Sequence, residues 1–239
     1  MRQLFLFSLV LSLPGLVTPD ALVSAQDAIP AEMANYVARP EPEYSWKLVH
    51  SRRVMGTTEH RLFLTSQNWQ GITWKHYLQV FEPHRLEETS KILLFVTAGN
   101  TGEVPSVSYD FMGAGVAKHT RARIAILHQV PNQPLLGDHV EDDLITESWL
   151  RYLKTGDANW PLLFPMVKSA VRAMDTLTAL TRLEIGGGRE VKRFVVAGGS
   201  KRGWTTWLTG AVDKRVVAIV PIVIDVLNVK EFNHHHFGA

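Results

Sequence analysis

The chain has 239 residues, 46% of them hydrophobic and 20% charged, which is typical of a globular protein with enough apolar material for a core. The 25 basic and 23 acidic residues leave a net charge of only +2, which argues against a nucleic-acid partner. Cysteine is absent, so the sequence excludes disulfide bonds and thiolate metal sites.

The N-terminus has the pattern of a secretory signal peptide. Arg2 precedes an almost wholly apolar run at 4–13, and small residues at 23–25 suit a cleavage site. We therefore expect residues 1–25 to be a signal peptide and residues 26–239 to form one domain that is secreted or periplasmic. The run is shorter than the ~20 residues of a membrane helix, so no stable membrane span is expected after cleavage. An uncleaved anchor or a buried strand remains the alternative.

The segment 44–83 is predicted to be β-structure. Apolar and polar residues alternate along Ile72–Phe81, which indicates a half-buried strand. Arg61–Ser66 is a suitable partner, and Asn68–Gly71 supplies turn residues between the two. We predict an antiparallel hairpin here, after an irregular or short helical segment at 27–42.

The rest of the chain alternates continuous apolar runs with helical patterns. Continuous apolar runs indicate strands that are buried on both faces of a parallel sheet. The runs are Ile92–Val96, Ile124–Leu127, Phe194–Ala197 and Val216–Ile224, and the helical patterns cover 109–119, 142–154, 161–184 and 201–211. This order predicts an α/β fold with a doubly wound, mostly parallel sheet that follows the N-terminal antiparallel hairpin.

A serine stands where the third of these runs gives way to a helix. Gly198 and Gly199 allow a sharp turn, which would expose the hydroxyl of Ser200 at the corner. A nucleophilic serine also needs backbone N–H groups that stabilise an oxyanion. The N–H of Lys201 and the loop Ala98–Asn100, which follows an earlier strand, are the candidate donors. We predict that Ser200, Lys201 and Asn100 form part of a catalytic site.

Two other interpretations of this corner remain open. The usual hydrolase pattern is G-x-S-x-G, whereas here the second glycine, Gly203, comes one residue late. Ser200 would then be only a helix N-cap, or it would form an anion site with the glycines and with Lys201 and Arg202. Cations oppose the dipole at a helix N-terminus, so the position of Lys201 and Arg202 favours a functional role over that of exposed first-turn residues. Arg202, Gly198 and Gly199 are the predicted substrate-binding residues.

Several motifs in one order resemble the PhoPQ-activated pathogenicity-related protein family. They are Gly198–Thr209, Pro221–Asn228, Thr65–Trp69, Trp74–His76, Val130–Pro134, and the stretch from Pro165 to Asp175. The resemblance implies an exported α/β-hydrolase-like protein with Ser200 as the nucleophile for ester or peptide hydrolysis. Its substrate would be a small molecule or a peptide, and no cofactor is expected. The late glycine is also similar to the elbow of glucuronoyl esterases.

The resemblance also implies an aspartate loop and a late histidine after the serine, which would complete a catalytic triad. The chain ends at Ala239, and nothing after Ser200 matches those two elements. We therefore interpret it as a C-terminally truncated member with an incomplete sheet. Asp225 is a candidate acid and His128 a candidate base. The alternatives are a turn residue for Asp225 and a loop histidine for His128.

No metal site is expected. Three consecutive histidines, 234–236, cannot easily share one face, and an exposed tail is the favoured interpretation. The acidic segment 138–143 is more typical of a solvated loop that begins a helix than of a hard-cation site. The alternative to an enzyme is a secreted binding or signalling protein that uses the same fold.

Overall fold

The computed structural model describes residues 31–224 and 228–237. Its strands are β1 (Ser45–Val54), β2 (Thr57–Trp69), β3 (Ile72–Pro83), β4 (Glu88–Val96), β5 (Ala122–Leu127), β6 (Arg193–Gly199) and β7 (Val216–Ile222). Its α-helices are α1 (Ala31–Ala38), α2 (Val107–Thr120), α3 (Glu141–Thr155), α4 (Leu163–Arg182), α5 (Lys201–Val212) and α6 (Val229–His236). The predicted signal peptide and Asp225 lie outside the described residues.

The seven strands form one mixed sheet with the order β1-β2-β3-β5-β4-β6-β7. Strands β1, β2 and β3 are antiparallel neighbours, and β3 pairs antiparallel with β5. Strands β5, β4, β6 and β7 are parallel to one another. The predicted α/β fold and its N-terminal antiparallel hairpin are confirmed. The structure adds β1, so that the antiparallel part consists of three strands rather than two.

Helices cover both faces of the sheet. On one face, apolar side chains of β2 to β6 pack against α4, whose Met166, Ala170, Ala173, Met174 and Leu177 are fully buried. On the other face, Ala114 and Ala117 of α2 pack against Phe81, Ile124 and Ile126. The apolar runs of β4 and β5 contribute side chains to both packed faces of the sheet. The run of β7 does not, because Val217, Val220 and Ile222 are 41%, 47% and 40% exposed, so the prediction of a strand buried on both faces is wrong there.

The parallel strands place their following loops at one edge of the sheet. Val96 at the end of β4 is level with Gly198 of β6 and with Leu127 of β5. The loops that begin at Thr97, His128 and Ser200 are consequently neighbours at the carboxyl edge. That edge is where ligands bind in open α/β sheets.

The segment before β1 is fixed to the sheet by a buried lysine. Lys168 of α4 is fully buried, and its Nζ donates to the carbonyl oxygens of Tyr36 (3.1 Å) and Arg39 (2.7 Å). The same Nζ lies 2.6 Å from a carboxylate oxygen of Glu41. These three acceptors compensate the desolvation of the ammonium group, so α1 and the chain after it are held against α4.

The helices in the described ranges include none with both the length and the apolar character that crossing a bilayer requires.

Candidate active site

Ser200 lies at the corner between β6 and α5 with an unusual backbone conformation. Its φ is 55° and its ψ is −124°, a region that a residue with a Cβ occupies at a cost of about 1–3 kcal/mol. The Ser200 N–H donates to the carbonyl of Ile222 at 2.9 Å, and its carbonyl accepts from the N–H of Gly203 at 2.7 Å. Ser200 is the N-cap residue of α5, but its side chain makes no capping hydrogen bond, so the hydroxyl has no capping role.

Two of the three glycines at the corner are required by close contacts. A Cβ on Gly198 would lie 2.6 Å from the carbonyl oxygen of Arg202, and one on Gly203 would lie 2.1 Å from the Cγ2 of Ile224. A Cβ on Gly199 would meet no atom within 4 Å. The second glycine of the motif is therefore needed at 203, where α5 packs against the chain that follows β7. The late position in the sequence is consistent with a tight elbow.

The candidate oxyanion donors lie on two adjoining segments. Lys201 begins α5, where the first N–H groups of a helix have no acceptor inside the helix. The loop after β4 runs alongside, because Val96 is level with Gly198. In this loop the N–H of Asn100 donates to a carboxylate oxygen of Glu103 at 3.2 Å, and its Nδ2 donates to the other oxygen at 2.8 Å. An oxyanion that used the Asn100 N–H would have to displace Glu103.

The cations after the serine are paired with acids from the start of α3. The Nζ of Lys201 lies 3.0 Å from carboxylate oxygens of both Glu141 and Asp142. Nη1 of Arg202 lies 3.1 and 3.0 Å from the two carboxylate oxygens of Glu141. The side chains of Lys201 and Arg202 are only 13% and 12% exposed, so their interpretation as exposed first-turn residues is wrong. The acids also offset the unfavourable effect of two cations on the helix dipole.

Glu141 connects the serine corner to the neighbouring loops. Burial alone would raise the pKa of Glu141, but the hydrogen bond from Lys201 and the charge of Arg202 outweigh it and lower the pKa. Gln133 donates to the Glu141 carboxylate at 3.0 Å, and its own side-chain oxygen accepts from the Glu141 N–H at 3.1 Å. The backbone carbonyl of Gln133 accepts from Thr101 at 2.8 Å. One carboxylate thus links the helix after Ser200 to the loop after β4.

Arg202, Gly198 and Gly199 were predicted to bind substrate, and those roles stay predictions. The structure adds that Arg202 already has an anionic partner in Glu141, which an anionic substrate group would have to replace. Gly198 is enclosed by the backbone of Arg202, whereas Gly199 has open space beside it. Of the two glycines, Gly199 is therefore the one with room for a ligand.

His128 lies at the predicted edge, but its environment does not suit a general base for Ser200. It is 3% exposed, and its Nε2 is 2.8 Å from the side-chain oxygen of Gln79. Burial and the nearby charge of Arg61 lower the pKa of His128 to about 3. Within residues 31–224 and 228–237, no histidine is hydrogen-bonded to Ser200, and the candidate acid Asp225 lies outside these ranges.

The possible metal ligands are dispersed. His234 and His235 are exposed, as expected, and lie on α6, and the acidic segment leads into α3 as expected. No group of three or more possible metal ligands occurs in the described part of the chain.

Sequence reasoning missed Glu141 and Gln133 as parts of the site. Two cations in the first turn of a helix were a signal, because such a pair requires an anionic partner. In the sequence, Glu141 is only one of several acidic residues at 138–143, and nothing there distinguishes it from the others.

Comparison with known proteins gives the family and the fold. The family model of the PhoPQ-activated pathogenicity-related protein matches residues 33–239. Over 218 residues the chain is 35% identical to autocrine proliferation repressor protein A of Dictyostelium discoideum, covering 86% of this chain and 43% of that protein. The chain thus spans less than half the length of this curated relative.

Solved structures show a similar fold at low sequence identity. A putative acetyl xylan esterase from Bacteroides fragilis has a TM-score of 0.55 at 14% identity, covering 85% of this chain and 54% of that one. Acetyl xylan esterase 1 from Thermoanaerobacterium has a TM-score of 0.50 at 15% identity, covering 84% and 62%. The fold is that of the α/β-hydrolase-like esterases, and the chain belongs to the PhoPQ-activated pathogenicity-related protein family.

Proposed function

We propose that this protein is an exported acyl hydrolase in which Ser200 is the nucleophile. The observation that carries the proposal is the backbone of Ser200, which has φ 55° and ψ −124° and makes no capping hydrogen bond. A conformation that costs about 1–3 kcal/mol suggests a functional constraint at this position. The packing of Gly198 and Gly203 explains how the corner tolerates this strain.

The corner supplies two of the requirements for acyl transfer. The Oγ of Ser200 attacks the carbonyl carbon of the substrate, and the carbonyl oxygen becomes an oxyanion. The N–H of Lys201 and an N–H of the loop Ala98–Asn100 would stabilise this charge. The proton of Ser200 would pass to a histidine outside the described residues, with Asp225 as a candidate for the acid that orients it. Catalysis of this type uses no cofactor.

The substrate is expected to be a small molecule or a peptide. The two similar proteins of known structure are named as acetyl xylan esterases, which favours an ester over a peptide bond. We place the protein in the secreted or periplasmic compartment because residues 1–25 have the pattern of a signal peptide. N-terminal sequencing of the exported protein is expected to begin at Gln26, and retention of Met1 would contradict this assignment.

A second function, signalling without catalysis, is favoured by one observation. The curated relative is named an autocrine proliferation repressor, a name that describes an effect on cells rather than a reaction. In that case the same corner would bind a ligand without turning it over.

Labelling with a fluorophosphonate probe distinguishes the two functions. The probe is applied to the chain and to a form extended to the length of the curated relative, each with Ser200→Ala and Ser106→Ala as matched variants. We expect labelling that is lost in Ser200→Ala and retained in Ser106→Ala, because Ser106 is an exposed serine before α2. If neither form is labelled at Ser200, the nucleophile is refuted and the signalling function is favoured.

A further inference from the structure

A cavity of about 240 Å³ lies beside the loop that follows β4. Its wall includes Ala98 and Gly99 of that loop, Tyr109 of α2, and His128 and Gln129 after β5. Ser200 is not part of the wall, but the cavity shares the loop Ala98–Asn100 with the proposed oxyanion site. Since a water molecule occupies about 30 Å³ of the liquid, the cavity holds a group of roughly eight non-hydrogen atoms.

The side-chain amide of Gln79 has only one possible orientation. It is fully buried, and its Nε2 donates to carboxylate oxygens of Glu59 (2.7 Å) and Asp110 (2.8 Å). Arg61 lies 2.9 Å from Glu59, and Arg52 lies 2.6 Å from Asp110. Burial alone would raise the pKa of Glu59, but its hydrogen bonds and the charge of Arg61 lower it. The carboxylates therefore act as acceptors, and the Gln79 amide must direct its oxygen away from them.

This orientation fixes the tautomer of His128. The Gln79 oxygen is 2.8 Å from the Nε2 of His128, and an amide oxygen only accepts hydrogen bonds. Nε2 must therefore carry the proton. Because burial lowers the pKa of His128 to about 3, the ring is neutral at pH 7 and its Nδ1 is an unprotonated acceptor.

Within the described ranges, no protein group donates to the Nδ1 of His128, and this atom is not among the polar atoms that are sealed from solvent without a partner. The edge of the ring with Nε2 faces Gln79 in the interior, so the opposite edge is left for the cavity that His128 lines. Tyr109 contacts the ring edge-on with centroids 4.7 Å apart, and its hydroxyl is 3.0 Å from that of Thr97. A ligand in the cavity that donates a hydrogen bond would supply the partner that the protein does not give to this acceptor.

We propose that this cavity binds a neutral, hydroxyl-bearing group, whose hydroxyl donates to the Nδ1 of His128. A hydroxyl donates one hydrogen bond to the neutral ring without bringing a charge into the cavity. The carboxylate of Glu103, which also lines the cavity, already accepts two hydrogen bonds from Asn100. Behind His128, the two arginines balance the two buried acids. The assignment of this group as part of the substrate of Ser200 rests on the proposed function, whereas the binding itself does not.

The first test is the tautomer of His128, measured by NMR with ¹⁵N-labelled histidine at pH 7. His76 is an internal control that is also buried, and its Nδ1 donates to the carbonyl oxygen of His128 at 2.9 Å. Its Nε2 accepts from Ser66 at 2.9 Å. We expect a proton on Nε2 of His128 and on Nδ1 of His76. A proton on Nδ1 of His128, or a doubly protonated ring, would overturn the proposal.

The second test uses three probes of nearly equal size: cyclohexanol, cyclohexanone and cyclohexylammonium. Each is titrated into labelled Ser200→Ala protein, so that the result is independent of whether Ser200 reacts. Cyclohexanol is expected to shift the Nδ1 resonance of His128, and cyclohexanone is expected to leave it unchanged because it donates no hydrogen bond. Preferential binding of cyclohexylammonium, equal binding of the ketone, or no response to any probe would refute the proposal.

The variant His128→Phe then isolates the hydrogen bond. It keeps an aromatic ring in the wall but removes Nδ1. We expect it to weaken cyclohexanol binding about fivefold, the value of a typical net hydrogen bond. An unchanged His76 spectrum would show that the variant is folded, and in that case unchanged cyclohexanol binding would contradict the proposal.

Discussion

The glycines around Ser200 give the sharpest test of the proposed elbow, because the structure separates two neighbours. The Cβ of Gly198→Ala would lie 2.6 Å from the carbonyl oxygen of Arg202, whereas ordinary contacts begin at 3.4 Å. The first turn of α5 would have to move by roughly 0.8 Å, and overpacking of this kind costs about 1–3 kcal/mol. Gly199→Ala meets no atom and restricts only the unfolded chain, which stabilises by about 0.4–1 kcal/mol.

The two variants are therefore expected to differ by about 1.5–4 kcal/mol in the free energy of unfolding. For a domain of this size, this corresponds to a difference in Tm of about 3–16 °C. Urea and thermal unfolding measure the difference, with Gly199→Ala as the matched control. Gly198→Ala is also expected to lose fluorophosphonate labelling, because the turn moves. Equal stability of the two variants would show that the corner is not as tight as described.

Other predictions concern the serine itself, the buried histidines and the buried lysine. Ser200→Gly is expected to be about 0.5–2 kcal/mol more stable than Ser200→Ala, because only glycine relieves the backbone strain at this position. Urea unfolding measures the difference, and a less stable glycine variant would contradict the prediction. Burial lowers the pKa of His76 to about 4 and that of His128 to about 3, so below pH 6.5 the unfolded state binds more protons than the folded state. The free energy of unfolding should fall by about 2–3 kcal/mol between pH 7.5 and 5.5, and a constant value would refute the assignment of both rings as neutral. Lys168→Met leaves the buried carboxylate of Glu41 without its ammonium partner and should lower the free energy of unfolding by about 3 kcal/mol. Adding Glu41→Gln to the same chain should recover part of this loss. Independent effects of the two substitutions would argue against the pair.

The serine corner was largely predictable because its determinants are local. An apolar run, two glycines, a serine and an amphipathic segment follow one another directly at 194–211. This order is enough to predict a strand, a tight turn and a helix. The requirement for a glycine at 203 was not predictable, since it arises from Ile224, which belongs to the chain after the next strand.

The charges around the corner were only half predictable. The sequence shows that Lys201 and Arg202 are poorly placed for the helix dipole, which correctly indicates that they interact with something. Their partner Glu141 is 61 residues away from Arg202 in the chain, and the same segment contains other acids that were equally plausible. The strand order brings the start of α3 to the carboxyl edge, and that decides the pairing.

The sequence by itself thus determined the alternation of strands and helices, the family, and the serine at a sharp turn, because each depends on neighbouring residues. Only the tertiary structure decided that β5 lies between β3 and β4, that Glu141 pairs with the cations after Ser200, and that Gln79 fixes the ring of His128. The physical reason is that hydrogen bonds and ion pairs depend on distance in space. Residues that are 49 positions apart, such as Gln79 and His128, meet only when the sheet is assembled.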